Sequence, residues 1–441
     1  MSLLARGLAW LCAYVVLMVV PMGVATAVDP FTVARPALVE VSVALGLIGF
    51  PVILAQFALV SHLRAASRPF GTDALMQVHR YMSFLALAMI FGHPLLLNVV
   101  NLPWSSWNLV SANAMSRSGG IALWAVVGLV VTTVVRQRLR LSYETWRFLH
   151  LVLSVIAVVA MLIHMLAVSG YSSPGPMRAV LVGYAAAVGG VLITYRLVRP
   201  LRMRQRPWVV TENVDQGAST RTVRVRPDGH AGLEFDPGQF AWLITGRSPF
   251  SLQQHPLSIA SSSERPPDGS IEFAVKALGD WSRVVIPGLA PGTRVWVEGA
   301  FGAFTTEEKG AQGFVLIAGG IGIAPMRSML RTMRDREDRR HVILVYAAHD
   351  ERRAPFRQEF EQLRNHLNLE IVWVFEAPSV EWGGHRGYVT KAVLEQCLPR
   401  QFRRYHYFVC GPPPMMDAVE AMLVDLGIAR GSIDSERFNV V

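Results

Sequence analysis

Four histidines lie in two strongly apolar segments of the chain, and each segment holds two of them fourteen residues apart. The pairs are His79 with His93 and His150 with His164. On an α-helix this separation is a rise of roughly 21 Å and falls about 40° short of four whole turns. Each pair therefore lies on nearly one face of its helix, with one imidazole near each membrane surface.

The two histidine segments are separated by one further apolar segment, so both cross a membrane in the same direction. His79 is then level with His150, and His93 is level with His164. Two imidazoles that face each other are the axial ligands of a b-type haem. The spacing predicts two stacked haems with the four histidines as their metal ligands.

The spacing distinguishes haem ligation from two other roles of histidines in a membrane. A single histidine inside a membrane often only hydrogen-bonds to a neighbouring helix, but the same spacing in two segments favours haem. Zinc is disfavoured because these segments contain no cysteine or carboxylate, and the two pairs are too far apart to share one ion. His62 falls outside the pattern and is interpreted as an interfacial residue. Arg80 and Arg147 adjoin the inner ligands, where they could pair with haem propionates or only anchor the helices.

Six apolar stretches are long enough to span a bilayer as helices, which takes about 20 residues. They cover residues 7–28, 37–60, 76–100, 119–135, 146–168 and 177–197. The first also resembles a secretory signal that ends at Ala25-Thr26-Ala27, but we expect it to be retained as a helix. The prediction is a six-helix transmembrane domain over residues 1–200. A composition that is 52% hydrophobic and only 17% charged agrees with this.

Arginines are concentrated in alternate loops and beyond the sixth span. Cytoplasmic loops of membrane proteins carry such an excess, so this side, and everything after residue 200, is predicted to be cytoplasmic in a bacterial inner (plasma) membrane. The opposite loops are poor in charge and carry Trp104, Trp107 and Tyr171, which suit a membrane interface. The formal net charge of +10 does not indicate nucleic acid, because many of the arginines lie beside apolar segments. The expected partner is the lipid bilayer.

Short alternating strands with Gly/Pro turns follow, and they predict a small antiparallel β-barrel over residues 205–305. One strand carries His255-Pro256-Leu257-Ser258, where Ser258 could donate a hydrogen bond near the redox edge of a flavin ring. Further on comes a stretch in which glycine lets the backbone approach a pyrophosphate while lysine and serine supply charge and donors. Its residues are Lys276, Gly279, Asp280, Trp281 and Ser282. Taken alone, each stretch is also consistent with a plain strand and turn.

From Gly313 onward strands and helices alternate, which predicts an α/β Rossmann-like nucleotide-binding domain over residues 306–441. A buried strand runs into Gly319-Gly320-Ile321-Gly322 and then into a helix, and such a glycine turn is a phosphate site. A later strand leads into Cys410-Gly411 at its carboxyl end, where ligands bind in open α/β sheets.

These motifs together resemble the ferredoxin–NADP reductase superfamily. The His-Pro form of the flavin motif, joined to the four-histidine helices, is similar to the NADPH oxidase / ferric reductase family. The resemblance covers nearly the whole chain, and its parts occur in the order expected of that family. It implies a multidomain membrane protein with a six-helix transmembrane bundle, an antiparallel β-barrel FAD domain and an α/β NAD(P)-binding domain.

The resemblance also implies roles for single residues. Residues 255–258 would contact the isoalloxazine and ribityl groups, and residues 279–282 would hold the FAD pyrophosphate. Gly320 and Gly322 would face the pyrophosphate of NAD(P)H, and Cys410 and Gly411 would lie near the nicotinamide. A C-terminal aromatic residue often covers the flavin in this superfamily. Phe438 is the candidate, although three residues follow it; the alternative is a packed last strand.

The choice between NADPH and NADH depends on the end of the second nucleotide strand. Relatives that use NADPH often have arginine where this chain has His349. Arg352 and Arg353 lie close enough to serve the 2′-phosphate instead, since arginine suits bidentate phosphate contact. The resemblance therefore favours NADPH, with NADH as the alternative.

The resemblance, with the predicted haems, implies a path from NAD(P)H through FAD to single electrons on the haems. Bis-histidine ligation leaves no open iron position, so the last acceptor would take one electron at a time by outer-sphere transfer. Dioxygen and ferric chelates both fit this requirement. A periplasmic redox partner protein is the alternative acceptor.

Overall fold

The computed structural model describes residues 3–28, 35–61, 64–100, 109–110, 113–168, 170–172, 175–264, 266–307 and 309–437. The chain divides into two compact units, Met1–Pro200 and Leu201–Val441, each with its own core.

The first unit is helical. Its helices are α1 (Leu3–Ala27), α2 (Ala37–Val60), α3 (Arg64–Val99), α4 (Ala114–Val134), α5 (Tyr143–Ala167), α6 (Gly175–Ile193) and, after a π-helical turn at Thr194–Val198, the short α7 (Arg199–Arg204). Within the described ranges, six helices are long and apolar enough to cross a membrane, which confirms the predicted bundle. Apolar side chains such as Leu11 and Val16 are more than half exposed, as expected where lipid is the solvent.

One helix extends well beyond its predicted span. Helix α3 begins at Arg64, whereas its apolar part is Ala74–Val99. A helix needs only its own backbone hydrogen bonds, so it can continue past the apolar stretch that marks the bilayer. The sequence pattern reports the bilayer-spanning part and misses the extension.

The packing of the bundle places the two histidine helices beside different neighbours. Helix α3 packs along α2, and α5 packs along α4. The buried side of α2 includes Leu47, Phe50 and Leu54. Helices α4 and α5 begin at capping side chains, Asn113 and Ser142, whose oxygens accept a backbone N–H of the first turn at 2.8 and 3.2 Å.

The second unit begins with an antiparallel six-stranded sheet and one short helix. The elements are β1 (Trp208–Asp215), β2 (Thr220–Pro227), β3 (Phe240–Ile244), β4 (Gln254–Ser258), β5 (Ile271–Lys276), α8 (Asp280–Val284) and β6 (Arg294–Phe301). The strand order is β4-β3-β6-β1-β2-β5. A bridge between Ile259 and Phe273 joins the two edges of the sheet, so the strands form the predicted barrel around core residues such as Val223 and Leu243.

The remainder is a parallel sheet flanked by helices. In chain order it contains β7 (Gly313–Gly319), α9 (Ile323–Asp335), β8 (His341–Ala348), α10 (Arg357–Leu363), β9 (Leu369–Phe375), β10 (His385–Arg386), α11 (Lys391–Cys397), β11 (His406–Cys410), α12 (Pro413–Asp425) and β12 (Ile433–Glu436). Alternate residues of β7 belong to two separate cores, Leu316 to one and Ile317 to the other, because the sheet is covered on both faces.

The strand order fixes where this sheet can bind a ligand. The order is β10-β9-β8-β7-β11-β12. The chain builds outward from β7 in one direction, then crosses back to add β11 on the other side. Ligands bind at such a switch point, outside the carboxyl ends of the strands. The end of β7 and the end of β11 therefore define the expected nucleotide site.

Candidate functional site

The four histidines of the membrane unit meet as the two predicted pairs. The ring centroids of His93 and His164 are 6.2 Å apart, and those of His79 and His150 are 6.4 Å apart. Two imidazoles that ligate one metal ion from opposite sides, with metal–nitrogen bonds of about 2 Å, have centroids roughly 6 Å apart. Both pairs therefore fit the separation that a shared axial metal requires.

The pair of His93 and His164 is oriented by backbone carbonyl groups of neighbouring helices. Nδ1 of His93 donates to the carbonyl oxygen of Ser42 at 2.8 Å, and Nδ1 of His164 donates to that of Met115 at 2.9 Å. A proton on Nδ1 leaves Nε2 as the free lone pair of each ring. Ser42 also donates through Oγ to the carbonyl oxygen of His93 at 2.7 Å. The rings of His93 and His164 thus carry the proton on Nδ1, which is the tautomer that leaves Nε2 free to bind a metal.

Two glycines make room for these rings. A Cβ on Gly119 of α4 would lie 2.9 Å from Nδ1 of His164, and a Cβ on Gly46 of α2 would lie 3.5 Å from Nδ1 of His93. The first distance is shorter than real contacts allow, so His164 packs directly on the backbone of α4. Gly119 is therefore the close wall beside His164, whereas a methyl group at Gly46 would make only an ordinary contact with His93.

The pair of His79 and His150 has a different environment. Nδ1 of His79 and Nδ1 of His150 are buried without a hydrogen-bond partner among the described residues. The indole ring of Trp146 lies 5.3 Å from the ring of His150. Ser83 and Ser154 donate to the carbonyl oxygens of His79 and His150 at 2.7 and 2.6 Å. The sequence repeats the His-x-x-x-Ser spacing in both helices, a signal that our sequence analysis missed.

The two predicted flavin motifs meet inside the barrel. The ring of His255 on β4 stacks on the indole of Trp281, with centroids 3.9 Å apart and an interplanar angle of 23°. Trp281 donates through Nε1 to Oγ1 of Thr245 at 2.9 Å, which ties it to the end of β3. Ser258 is buried at the end of β4, whereas Pro256 and Leu257 are partly exposed.

The glycine loop that follows β5 is held by one hydroxyl. Oγ of Ser282 accepts from the backbone N–H groups of Leu278 and Gly279, both at 3.0 Å. Ser282 therefore orders its own loop, and its Oγ donates to the carbonyl oxygen of Gly279 at 3.0 Å. Its predicted role as a donor to the pyrophosphate stays a prediction. A Cβ on Gly279 would meet nothing within 4 Å, and Asp280 is exposed, so the loop is open on its outer side.

The nucleotide turn lies at the switch point of the parallel sheet. Gly320 has a positive φ of 54°, and a Cβ on Gly322 would lie 2.2 Å from the carbonyl oxygen of Cys410. Gly319 and Gly411 also approach each other closely, because a Cβ on Gly411 would lie 3.0 Å from the nitrogen of Gly319. Glycine is required here since two backbone segments touch.

Lys276 brings the barrel to the nucleotide turn. Its Nζ lies 3.7 Å from the position that a Cβ on Gly320 would occupy. Lys276 ends β5 and is followed directly by the glycine loop of Gly279. The ammonium group therefore lies beside the glycine turn of Gly320, and the same residue precedes the Gly279 loop in the chain.

A buried carboxylate beside Cys410 was missed by the sequence analysis. Cys410 is 1% exposed and pairs in register with Glu436 of β12, which is 7% exposed. Oε1 of Glu436 would be 3.0 Å from a Cβ on Gly302, at the end of β6. The signal in the sequence was an acidic residue, Glu436, at the end of the last strand. Phe438 lies outside the described residues.

The loop after β8 carries charges of both signs. Arg352 and Arg353 are exposed, and Arg353 pairs with Asp350 at 3.4 Å. His349 contacts the carboxylate of Glu376 at 3.2 Å. The pKa of Glu376 is lowered by hydrogen bonds, first from Tyr388 and then from His349, so this acid is charged at neutral pH. Within the part of the chain that the structure describes, Arg352 forms no ion pair.

Family models match three parts of the chain. Residues 45–161 match a ferric reductase like transmembrane component, residues 216–303 match an FAD-binding domain, and residues 316–421 match an oxidoreductase NAD-binding domain. The first match covers His79, His93 and His150 and ends shortly before His164.

Two curated relatives match 41% and 53% of the chain. The chain is 33% identical over 187 residues to the xylene/toluene monooxygenase electron transfer component XylA of Pseudomonas putida, over 41% of this chain and 52% of that protein. It is 26% identical over 239 residues to the flavohemoprotein of Bacillus subtilis (strain 168), over 53% of this chain and 59% of that protein. The chain thus spans between half and three-fifths of these two relatives.

A solved structure is similar in fold. The flavohemoglobin from Malassezia yamatoensis, with bound FAD and heme, matches with a TM-score of 0.52 and 16% identity over 90% of this chain and 99% of that one. At this identity the likeness concerns the fold alone. The three family models carry the assignment: the chain has the domain combination of the NADPH oxidase / ferric reductase family, a ferric reductase-like transmembrane domain followed by FAD-binding and NAD-binding domains of the ferredoxin–NADP reductase type.

Proposed function

We propose that this chain is a transmembrane NAD(P)H oxidoreductase that holds FAD and two b-type haems and delivers single electrons to an acceptor outside the cytoplasm. The observation that carries the proposal is the pair of histidine–histidine separations, 6.2 and 6.4 Å, in a unit that matches a ferric reductase like transmembrane component. The proposed domains are residues 1–200 for the haems, 205–305 for FAD and 306–441 for NAD(P)H.

The proposed groups divide the chemistry between them. FAD, when bound, exchanges two electrons with a nicotinamide and single electrons with haem iron, and a bis-histidine haem carries one electron without an open coordination site. The protein supplies placement. His79 and His150 would hold the inner haem, and His93 and His164 the outer haem.

Residues of the second unit would bind and orient the two nucleotides. His255, stacked on Trp281, would form a flat wall for the flavin, with Ser258 at its redox edge. The open loop at Gly279 and Asp280 would receive the FAD pyrophosphate. Lys276 adjoins this loop and Gly320, so its charge would serve the phosphates of both nucleotides.

The nicotinamide would lie at the switch point of the sheet. Gly320 and Gly322 would face the NAD(P)H pyrophosphate at the start of α9, and Cys410 and Gly411 would lie beside the nicotinamide ring. Burial of Cys410 supports a packing role for its side chain over a nucleophilic one. Arg352 and Arg353 would contact the 2′-phosphate of NADPH.

The acceptor is tested by measuring NAD(P)H oxidation. The purified full-length protein, in vesicles, is given dioxygen alone, with superoxide dismutase-sensitive detection, and then ferric citrate without oxygen. Oxidation with either one supports direct reduction of a small acceptor, dioxygen or a ferric chelate. Oxidation that needs a periplasmic extract would instead assign an electron-transfer subunit for a partner protein. The Pseudomonas putida relative is named an electron transfer component, and for this reason the second function is tested as well.

A further inference from the structure

Two opposite charges are buried where the barrel meets the nucleotide-binding sheet. Glu272 on β5 is 5% exposed and Arg327 on α9 is 4% exposed. Nη1 of Arg327 donates to Oε2 of Glu272 at 2.8 Å and to the carbonyl oxygen of Ala260 at 3.2 Å. Ala260 follows β4, the strand that carries the predicted flavin residues. One guanidinium of α9 therefore binds two separate segments of the barrel.

The pair is part of a closed ring of two arginines and two glutamates. Nε of Arg327 donates to Oε2 of Glu359 on α10 at 2.9 Å, and Nε of Arg331 donates to Oε1 of the same residue at 2.5 Å. Nη1 of Arg331 donates to Oε2 of Glu272 at 3.0 Å and so completes the ring. Each acid accepts from both arginines, which closes the ring, defined as Glu272, Arg327, Glu359 and Arg331. Arg224 also donates to Glu272 from outside the ring, through Nη2 to Oε1 at 2.5 Å.

The ring joins three elements that each lead to a predicted cofactor motif. Glu272 is on the strand that ends at Lys276, beside the pyrophosphate loop. Arg327 follows the glycine turn of Gly322 on the same helix. Glu359 is in the helix that follows the loop of Arg352. No member of the ring lies in a predicted nucleotide contact, yet its three elements set the positions of both nucleotide sites.

Stability alone does not account for such an arrangement. Burying charges costs solvation energy, and apolar side chains of similar volume often stabilise a protein equally well or better. What a closed set of directional, charge-assisted hydrogen bonds adds is a defined geometry, since the planar guanidinium holds its acceptors in a fixed fork. The interface also includes a direct bond from the backbone nitrogen of Ser263 to Oγ1 of Thr332 at 2.9 Å.

We infer that the ring clamps the nucleotide-binding domain onto the flavin domain, so that Glu272 and Arg331 are positioning residues for electron transfer from NAD(P)H to FAD. This inference rests on the proposed function. In that reaction a hydride leaves the nicotinamide, giving NAD(P)⁺ and the two-electron-reduced flavin, so the ring donates and accepts no electron or proton. Its role is to hold the two sites at reacting distance.

The clamp is tested in the full-length protein with two variants and a matched control. Arg331→Gln opens the ring on its partly exposed side and leaves the pair of Glu272 and Arg327 in place. Glu272→Gln breaks the ring at its buried centre. Glu212→Gln is the control, because Glu212 is an exposed acid that pairs at 3.3 Å with Arg224, which also binds Glu272.

Two measurements are made on each variant. Anaerobic stopped-flow mixing with NADPH and with NADH gives the limiting rate of flavin reduction and the half-saturating nucleotide concentration. Hydrogen exchange of the nucleotide-free protein reports amide opening in β5 and α10. We expect limiting rates about 10- to 100-fold lower in both variants, because small misplacements of reactants cost this much. Half-saturation stays near that of the wild type, exchange is faster in β5 and α10, and the control matches the wild type.

Other outcomes separate the two hypotheses. If Arg331→Gln folds, keeps wild-type exchange and reduces its flavin at the wild-type rate, the clamp is overturned, and this variant decides the matter should Glu272→Gln fail to fold. A higher half-saturation with an unchanged limiting rate also overturns it, since the ring would then serve nucleotide binding. If the flavin of the wild type is reduced by neither nucleotide, the proposed function fails, whereas the exchange data still report on the ring.

Discussion

The wall that Gly119 forms beside His164 offers a sharp test of the outer histidine site. Replacing Gly119 with alanine adds one methyl group, whose carbon would lie 2.9 Å from Nδ1 and 3.0 Å from Cε1 of His164. The ring has little freedom to withdraw, because Nδ1 is bonded to the carbonyl oxygen of Met115 at 2.9 Å. The ring must therefore tilt, or α4 must move away from α5.

The cost can be estimated from overpacking. An extra methyl group in a packed site typically costs about 1–3 kcal/mol, and a middle value of about 2 kcal/mol corresponds to roughly 30-fold weaker binding of a group that needs the ring in place. We therefore expect Gly119→Ala to lose the outer haem about 30-fold more readily to an excess of a haem-scavenging protein, while the inner haem is retained.

The control for this variant is Gly183→Ala in α6, where a Cβ would meet nothing within 4 Å. Both variants add the same methyl group to a membrane helix, so only the contact with His164 differs. Redox titration of the purified proteins resolves the two haems. Equal haem retention and equal midpoint potentials in Gly119→Ala, Gly183→Ala and the wild type would refute the assignment of His164 as an outer ligand.

Three further predictions concern the second unit. Burial would raise the pKa of Glu272, but the charges of Arg327 and Arg331 and a hydrogen bond from Arg224 lower it from 4.5 to about 2. Such a depressed pKa contributes roughly 3 kcal/mol to the free energy of unfolding above pH 4.5, and this contribution is lost as the pH falls toward 2. Thermal unfolding of Glu272→Gln should therefore lack this acid-dependent loss, and a pH profile identical to that of the wild type would contradict the prediction. Gly322→Ala should raise the KM for NAD(P)H about tenfold and leave the FAD content unchanged, because its Cβ would lie 2.2 Å from the carbonyl oxygen of Cys410. The control Gly310→Ala, which has open space around its Cβ, should leave the KM unchanged. Arg352→Ala should lower kcat/KM for NADPH about tenfold and leave kcat/KM for NADH unchanged. An equal fall for both nucleotides would contradict the proposed contact with the 2′-phosphate.

Much of the architecture was predictable because it follows from local periodicity. Six apolar stretches predicted six helices, and alternating strands and helices after Gly313 predicted the parallel sheet. The pairing of His79 with His150 followed from spacing and helix direction alone, and the structure brings these rings within 6.4 Å. Regular elements leave a regular trace in the sequence.

The supports of the site leave no such trace. Ser42 and Met115 contribute backbone carbonyl groups to the outer histidines, and a carbonyl group has no residue type. Gly119 resembles any glycine of a membrane helix until α5 is packed against it. Glu272 alternates along β5 as a solvent-facing acid would, and its burial depends on α9 covering the barrel. These features arise from contacts between elements distant in sequence, which local patterns do not encode.

The central claim is that NAD(P)H feeds electrons to two haems held by the four histidines. Its most direct test is the number of haems per chain that anaerobic NAD(P)H reduces, read from the reduced-minus-oxidised spectrum of the purified full-length protein. The account predicts two in the wild type and one in His93→Ala, in which the ligands His79 and His150 remain. Two reducible haems in His93→Ala, or none in the wild type, would contradict it.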